Sequence, residues 1–145
     1  MKVRPAVIIF ALLLLTGTAS TFAQSTHDIL VSGGLDLIKS DNIKLFEKAQ
    51  IGLEGNYFIQ RHFAAGIGAE LWTKQKSSFV LGARWYADDH LFFRIRGLIG
   101  SNDASAGIGW SKALNEKWRF EGIGDFYFNQ SDFALRAGVG YIIRK

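Results

Sequence analysis

The charged side chains of this chain are patterned so that they could build an ion-pair network or an ion-selective constriction. From about residue 28 to the C-terminus the residues alternate with a period of two, and nearly every charge inside a candidate strand falls on one parity. Arginine pairs well with carboxylates because its planar guanidinium donates two parallel hydrogen bonds. Eleven charges fall on this parity. Arg144 ends the last candidate strand, and the other ten, which form the predicted network, are Asp36, Glu54, Glu70, Arg84, Arg94, Arg96, Arg119, Glu121, Asp125 and Arg136.

Hairpin geometry predicts which of these charges meet. If the last hairpin turns about Gln130 and Ser131, Asp125 lies opposite Arg136, which predicts an ordinary cross-strand ion pair.

A turn centred on Asp89 has a different consequence, because it places Arg84 directly opposite Arg94. Two like charges in that position are destabilising unless carboxylates reach them, and Arg96 adds a third cation nearby. The carboxylates available across a narrow barrel are Glu54, Glu70 and Glu121.

The three histidines are the other residues with catalytic or metal-binding potential. His27 precedes the first predicted strand, and His62 and His90 fall in predicted turns at the same end of the chain's hairpins. A metal site would need them to converge with Asp88 and Asp89, which is a weak signal. No P-loop, zinc-ligand spacing or nucleophile elbow is found in the sequence. We therefore predict no catalytic, cofactor-binding or metal-binding residues.

The two-residue alternation indicates β-strands, because successive side chains on a strand point to opposite faces. Eight such segments joined by short turns predict an all-β, eight-stranded antiparallel up-and-down barrel. The predicted strands are Ile29–Ile38, Ala49–Phe58, Phe63–Trp72, Phe79–Tyr86, Leu91–Ile99, Ala104–Ser111, Trp118–Phe128 and Phe133–Arg144.

The two faces of these strands differ, and one of them must point outward. A soluble lipocalin-like barrel would turn the apolar face inward, but that face is too rich in Phe, Trp, Leu and Ile for an eight-stranded interior. The other face is largely Gly, Ala and Ser with Arg, Glu and Asp, which suits a narrow lumen. We therefore predict a transmembrane barrel with an apolar exterior. Leu53 and Ile67 should face lipid, and Gly52→Ser on the inner face should be mild.

A charged lumen of this size supports two interpretations. The favoured one is an electrostatic plug, in which a salt-bridged polar core replaces a hydrophobic one. The alternative is a small anion-selective pore lined by the arginines. Water-filled porins use 16–18 strands, whereas eight rarely leave a continuous channel.

Aromatic residues on the outward parity predict a membrane-interface girdle at one rim. They lie near the strand ends that join the short turns or the C-terminus, and Trp and Tyr favour the headgroup level of a bilayer. The predicted girdle is Tyr57, Phe63, Trp85, Phe93, Trp110, Trp118 and Tyr141.

Residues 1–23 have the organisation of a cleaved signal peptide. Lys2 and Arg4 precede an apolar run from Ala6 to Leu15, and a small-x-small site ends at Ala23. The chain has no cysteine, so neither lipidation at a lipobox nor a disulfide framework is expected. Of 17 basic residues two leave with the signal, so residues 24–145, one predicted barrel domain, carry 15 against 13 acids. This near-neutral balance gives no reason to expect nucleic-acid binding.

The last strand carries the most specific motif, Arg136-x-Gly138-x-x-Tyr141-x-Ile143. It resembles the C-terminal assembly signal of small eight-stranded outer-membrane β-barrel proteins of the OmpA/OmpX type, although the chain ends Ile143-Arg144-Lys145 rather than in phenylalanine. The resemblance covers the whole predicted barrel. Its assembly-signal positions here are Gly138, Tyr141 and Ile143.

The resemblance implies a Gram-negative outer membrane, with both termini periplasmic. It also implies contact with the lipid bilayer and lipopolysaccharide, and with periplasmic chaperones and the barrel-assembly machinery during biogenesis. Some barrels of this fold modify lipid A with His and Ser or Asp near the outer leaflet, but all three histidines here lie at the opposite rim. We predict a structural, envelope-integrity or interaction role without cofactor or catalysis. The oligomeric state stays open, although Gly122 and Gly124 could allow close contact.

Overall fold

The computed structural model describes residues 25–39, 50–72 and 77–145, and within them eight strands form a closed antiparallel barrel. Each strand pairs with its neighbours in sequence, and β8 closes the barrel by pairing with β1. The strands are β1 Ile29–Lys39, β2 Gln50–Gln60, β3 Phe63–Trp72, β4 Ser78–Tyr86, β5 Leu91–Ile99, β6 Asp103–Ala113, β7 Trp118–Tyr127 and β8 Asp132–Ile143. No helix in the described ranges is long and apolar enough to cross a membrane.

The predicted fold class is confirmed, and β3 and β5 have the predicted bounds. The largest differences are in β2, which ends two residues later than predicted, and in β6, which extends past the predicted segment at both ends. The predicted signal peptide, residues 1–23, and the residues between β1 and β2, 40–49, lie outside the described residues.

The barrel has two ends that we name by what they carry. The terminus rim carries the start of β1, the end of β8 and the turns at residues 61–62, 87–90 and 114–117. The loop rim is the opposite end, and its described turns are at residues 100–102 and 128–131. Asn102 and Ser131 adopt positive φ of 51° in loop-rim turns, and Gly100 has φ 119°, a conformation that L side chains rarely adopt.

Side chains alternate between interior and exterior along the strands, as the period of two requires. In β5 every second residue is buried: Phe92, Arg94, Arg96 and Leu98 point inward. The residues between them, such as Ile95 at 65% exposure, form the outer surface. The barrel therefore has charged groups in its interior and apolar groups outside.

Two glycines in adjacent strands test this two-sided packing. A Cβ on Gly109 would overlap the ring of the fully buried Phe92, whereas a Cβ on Gly122 would meet no atom within 4 Å. We expect Gly109→Ala to destabilise the barrel by about 1–3 kcal/mol, since it overpacks the interior. Gly122→Ala should be neutral or slightly stabilising. Thermal unfolding in detergent micelles measures both, and similar losses for the two variants would contradict the assignment of faces.

Candidate functional site: the lumen charge network

The structure places all ten charges of the predicted network inside the barrel, and none is more than 9% exposed. Five are arginines and five are carboxylates, so the set is formally neutral. Each acid of the set lies within ion-pair distance of at least one arginine. Charges removed from water are costly unless they are paired in this way.

Glu54 is the carboxylate of the network that pairs with the most arginines, three of them. It lies on β2 and accepts hydrogen bonds from Arg84 at 3.0 Å, Arg94 at 3.3 Å and Arg96 at 3.0 Å. These arginines project from β4 and β5, two and three strands away around the barrel. The contacts to β5 therefore cross the lumen.

The arginine pair predicted from the β4–β5 hairpin is present in the register, since Arg84 is the direct partner of Arg94. Glu54 bridges both guanidinium groups, and each also has an acid of its own from β7. Arg84 donates to Glu121 at 2.8 Å, and Arg94 donates through Nε to Asp125 at 2.9 Å. Carboxylates thus neutralise a like-charge pair that would be destabilising alone.

The predicted ion pair between Asp125 and Arg136 is wrong. The β7–β8 turn occupies residues 128–131, so Arg136 lies opposite Ile123, and Asp125 lies opposite Ala134. The shift from the predicted register is two residues, which keeps both side chains facing inward but separates them along the barrel.

Arg136 instead joins two other acids. It donates through Nε to Asp36 of the neighbouring β1 at 2.6 Å. Across the lumen it forms two parallel hydrogen bonds of 2.8 Å to Glu70 of β3. Arg96 also contacts Glu70, so the two halves of the network meet at this carboxylate.

Arg119 lies on β7, toward the terminus rim. Its Nε donates to the Ser111 hydroxyl at 2.8 Å, and its Nη2 donates to the backbone carbonyl of Asp89 at 2.7 Å. This arginine therefore ties the β4–β5 turn to β7.

Apolar layers that were not predicted from the sequence lie on either side of the charges. The terminus-rim layer consists of Leu30, Phe58, Ala64, Tyr86, Phe92, Ile123 and Ile142. The loop-rim layer consists of Val80, Leu98, Tyr127 and Ala134, packed against Trp72. The expectation of an inner face made mainly of Gly, Ala and Ser is thus wrong near the strand ends.

Aromatic contacts make the two apolar layers dense and join them to the network. The ring of Tyr86 lies 5.1 Å from that of Phe92 and 5.4 Å from that of Phe58, and the Arg84 guanidinium lies 4.9 Å from the Phe92 ring. In the other layer the Tyr127 hydroxyl accepts a hydrogen bond from Arg96 at 2.9 Å.

Little space remains beside the central charges. Two cavities that Glu54, Arg84 and Arg94 help to line have volumes of about 10 Å³ each. Such a volume accommodates about one water molecule, which is far too little for a hydrated ion to pass.

The seven predicted girdle residues lie at the terminus rim on the outward parity. Five are exposed, and Trp110 and Tyr141 are partly buried. The Trp85 and Phe93 rings stack with centroids 5.7 Å apart, and Trp118 meets Tyr141 edge-on at 5.0 Å.

The residues of the predicted assembly signal lie on β8, at the seam where the barrel closes. A Cβ on Gly138 would meet the backbone carbonyl of Gly33 on β1 at 2.5 Å, so close strand approach requires glycine there. Tyr141 and Ile143 lie on the outward face of the same strand.

The three histidines lie at the terminus rim and contact nearby strand residues. His27 Nδ1 lies 2.5 Å from the Tyr57 hydroxyl, and His90 Nδ1 lies 2.9 Å from the Ser111 carbonyl. In the same rim, backbone amides of Leu91 and His90 hydrogen-bond the Asp88 carboxylate and lower its pKa. Within the described residues, no three His, Asp or Glu side chains are grouped so that they could hold a metal ion.

Comparison with known proteins gives a likeness of fold. No protein-family model and no curated protein sequence matches the chain. A solved structure described as a de novo design of transmembrane β-barrels aligns with a TM-score of 0.67 and 12% identity, over 83% of this chain and 99% of that one. Ail, the attachment invasion locus protein of Yersinia pestis, aligns with a TM-score of 0.50 and 9% identity, over 83% of this chain and all of that one. The chain therefore has the fold of small membrane-spanning barrels.

Proposed function

We propose that this chain is an integral outer-membrane β-barrel whose lumen is plugged by salt bridges, and that it acts in envelope structure or interaction rather than in catalysis. The observation that carries the proposal is the inverted distribution of side chains, with charges buried and large apolar groups exposed. At mid-strand, Leu53 is 58% exposed and Ile67 is 59% exposed. A continuous apolar surface of this kind is unfavourable in water and suits hydrocarbon.

The proposal of a plugged lumen is supported by the strands that the ion pairs join. Glu54 to Arg94, Glu121 to Arg84 and Glu70 to Arg136 each join strands three positions apart around an eight-stranded ring. Such pairs span the lumen, and the apolar layers close it above and below. This arrangement supports a structural barrel over an anion-selective pore.

The leader and the C-terminal motif support an exported protein that reaches the outer membrane through the barrel-assembly machinery. In that membrane the apolar surface would contact phospholipid and lipopolysaccharide. Cell fractionation tests the location, and we propose that the mature chain is found in outer-membrane fractions. Unboiled samples should also migrate differently from boiled ones on SDS gels, because a closed barrel resists SDS until it is heated. Recovery as a soluble periplasmic protein that binds a lipophilic ligand would establish the lipocalin-like alternative.

A conductance measurement separates the plug from a pore. Purified barrel in a planar lipid bilayer should show no steady conductance, because buried ion pairs and apolar layers fill the lumen. The control is Arg94→Glu, which removes one of the arginines that would select anions. Stable anion-selective openings of the wild type that disappear in this variant would make the protein a small channel.

A further inference from the structure

One cation on the outer surface does not fit a purely apolar lipid face. Lys112, near the end of β6, lies on the outward parity, and it is the only charged residue on that parity in the described strands β2 to β8. Trp110 and Leu114 flank it along the chain, and Phe120 is its partner on β7. A lysine in this position can keep its stem on apolar groups while its ammonium reaches the headgroup level.

Two further cations belong to the same corner of the terminus rim. Lys117 is exposed in the β6–β7 turn, and its carbonyl accepts a hydrogen bond from the Ile142 amide at 2.7 Å, which fixes the turn beside the end of β8. Arg144 follows β8 and donates to the Glu116 carbonyl at 3.3 Å. Lys112, Lys117 and Arg144 are named here the basic corner.

The charge balance of the basic corner favours an anion. The side chains of Lys112 and Lys117 form no ion pair or hydrogen bond with any residue that the structure describes. Glu116 is the acid of the same turn. The neighbouring β4–β5 turn contributes Asp88, whose carboxylate is held by its own turn's amides, and Asp89.

Apolar and aromatic groups place the basic corner at the depth of lipid headgroups. Trp118 and Tyr141 pack together directly below it, and their rings are typical of the membrane interface. Leu114, the first residue of the β6–β7 turn, is 62% exposed, so an apolar side chain lies beside the cations. This combination matches a lipid, which presents an anionic phosphate next to acyl chains.

We propose that the basic corner binds the phosphate headgroup of an anionic phospholipid. The proposal rests on the membrane insertion proposed above. Attraction to an anionic headgroup amounts to about a fivefold change in affinity for each lysine or arginine that lies beside the bound lipid. The three cations and the Trp118–Tyr141 pair thus make one side of the rim selective for anionic lipid. The side formed by the β4–β5 turn is acidic instead.

The test uses the mature barrel reconstituted from mixtures of phosphatidylcholine and phosphatidylglycerol. Native mass spectrometry then measures the ratio of the two lipids that remain bound. Wild type should retain phosphatidylglycerol preferentially, and the double variant Lys112→Gln with Lys117→Gln should reduce that preference by more than tenfold. Arg61→Gln, which removes an exposed cation from a different turn of the same rim, is the matched control and should change it little.

Two outcomes would overturn this site: no preference in the wild type, or equal losses in the double variant and in Arg61→Gln. Heat-modifiable migration on gels confirms that each variant is folded. Flotation with pure phosphatidylcholine vesicles keeps the two proposals distinguishable. A barrel that does not float with them would overturn membrane insertion, whereas one that floats but shows no lipid preference overturns the basic corner alone.

Discussion

Alanine at Arg94 is expected to destabilise the barrel by about 3–5 kcal/mol, the usual consequence of breaking a buried ion pair from one side. Arg94 holds Asp125 through two hydrogen bonds, and Asp125 is fully buried. Without Arg94, the remaining contact of Asp125 with a cation is that to Arg96 at 3.4 Å. Asp125→Ala should cost a similar amount, because it leaves Arg94 with only the 3.3 Å contact to Glu54.

The double variant Arg94→Ala with Asp125→Ala should cost less than the sum of the two single variants, by about 0.5–3 kcal/mol. The matched control is the double-mutant cycle between Asp125 and Arg136. The sequence predicted that these two residues pair, and the structure separates them. Their coupling should be clearly smaller. Unfolding in detergent micelles, followed by tryptophan fluorescence, gives all the free energies. A larger coupling for Asp125 with Arg136 than with Arg94 would mean that the β7–β8 register described here is wrong.

The two hairpins show what local sequence can specify about the network. The β4–β5 turn is centred on Asp89, and the carboxylate of the preceding Asp88 accepts the amides of His90 and Leu91. A turn held by its own side chain fixes its register, so the Arg84–Arg94 pairing was predictable.

The β7–β8 turn is also held by a residue outside its own hairpin. The backbone amide of Asn129 donates a hydrogen bond to the carboxylate of Asp103, the first residue of β6. This contact, which is distant in sequence, helps to set the position of the turn. Reading residues 129–132 alone therefore gave a register that was wrong by two positions.

The pairing of arginines with acids across the lumen could not be predicted from the sequence either. Parity assigned all ten charges to one face, but partners three strands apart depend on the strand stagger that closes the barrel. The apolar layers could have been found, since Phe58, Tyr86, Phe92 and Tyr127 fall on the charged parity near strand ends. They were overlooked because glycine and charge dominate the middle of the same face.

Gly52 shows how little room the lumen has. The expectation that Gly52→Ser is mild is wrong, because a Cβ there would contact the Arg136 guanidinium and lie 2.9 Å from the Glu70 carboxylate. The substitution would displace the pair that joins β3 to β8. Gly52 is therefore unsuitable as a harmless inner-face control for substitutions on the outer face.

The lipid-facing assignment of the outer face is better tested by comparing substitutions at two depths of that same face. Arginine at Leu53 or at Ile67 should impair insertion, at a cost of about 2–4 kcal/mol near the bilayer midplane. Both residues lie near mid-strand, on β2 and β3, and more than half of each side chain is exposed. The guanidinium would have to leave water for hydrocarbon, with no carboxylate on that face to pair with it.

Ile99→Arg is the matched control, because Ile99 is 57% exposed, close to the 59% of Ile67, but it ends β5 at the loop rim. Near the interface the same substitution should cost only about 0–1 kcal/mol. The measurement is unfolding from lipid vesicles in denaturant, together with the fraction of each variant that becomes heat-modifiable. A membrane imposes this dependence on depth, whereas water does not. Equal and small effects of Ile67→Arg and Ile99→Arg would place the apolar face in contact with something other than a bilayer.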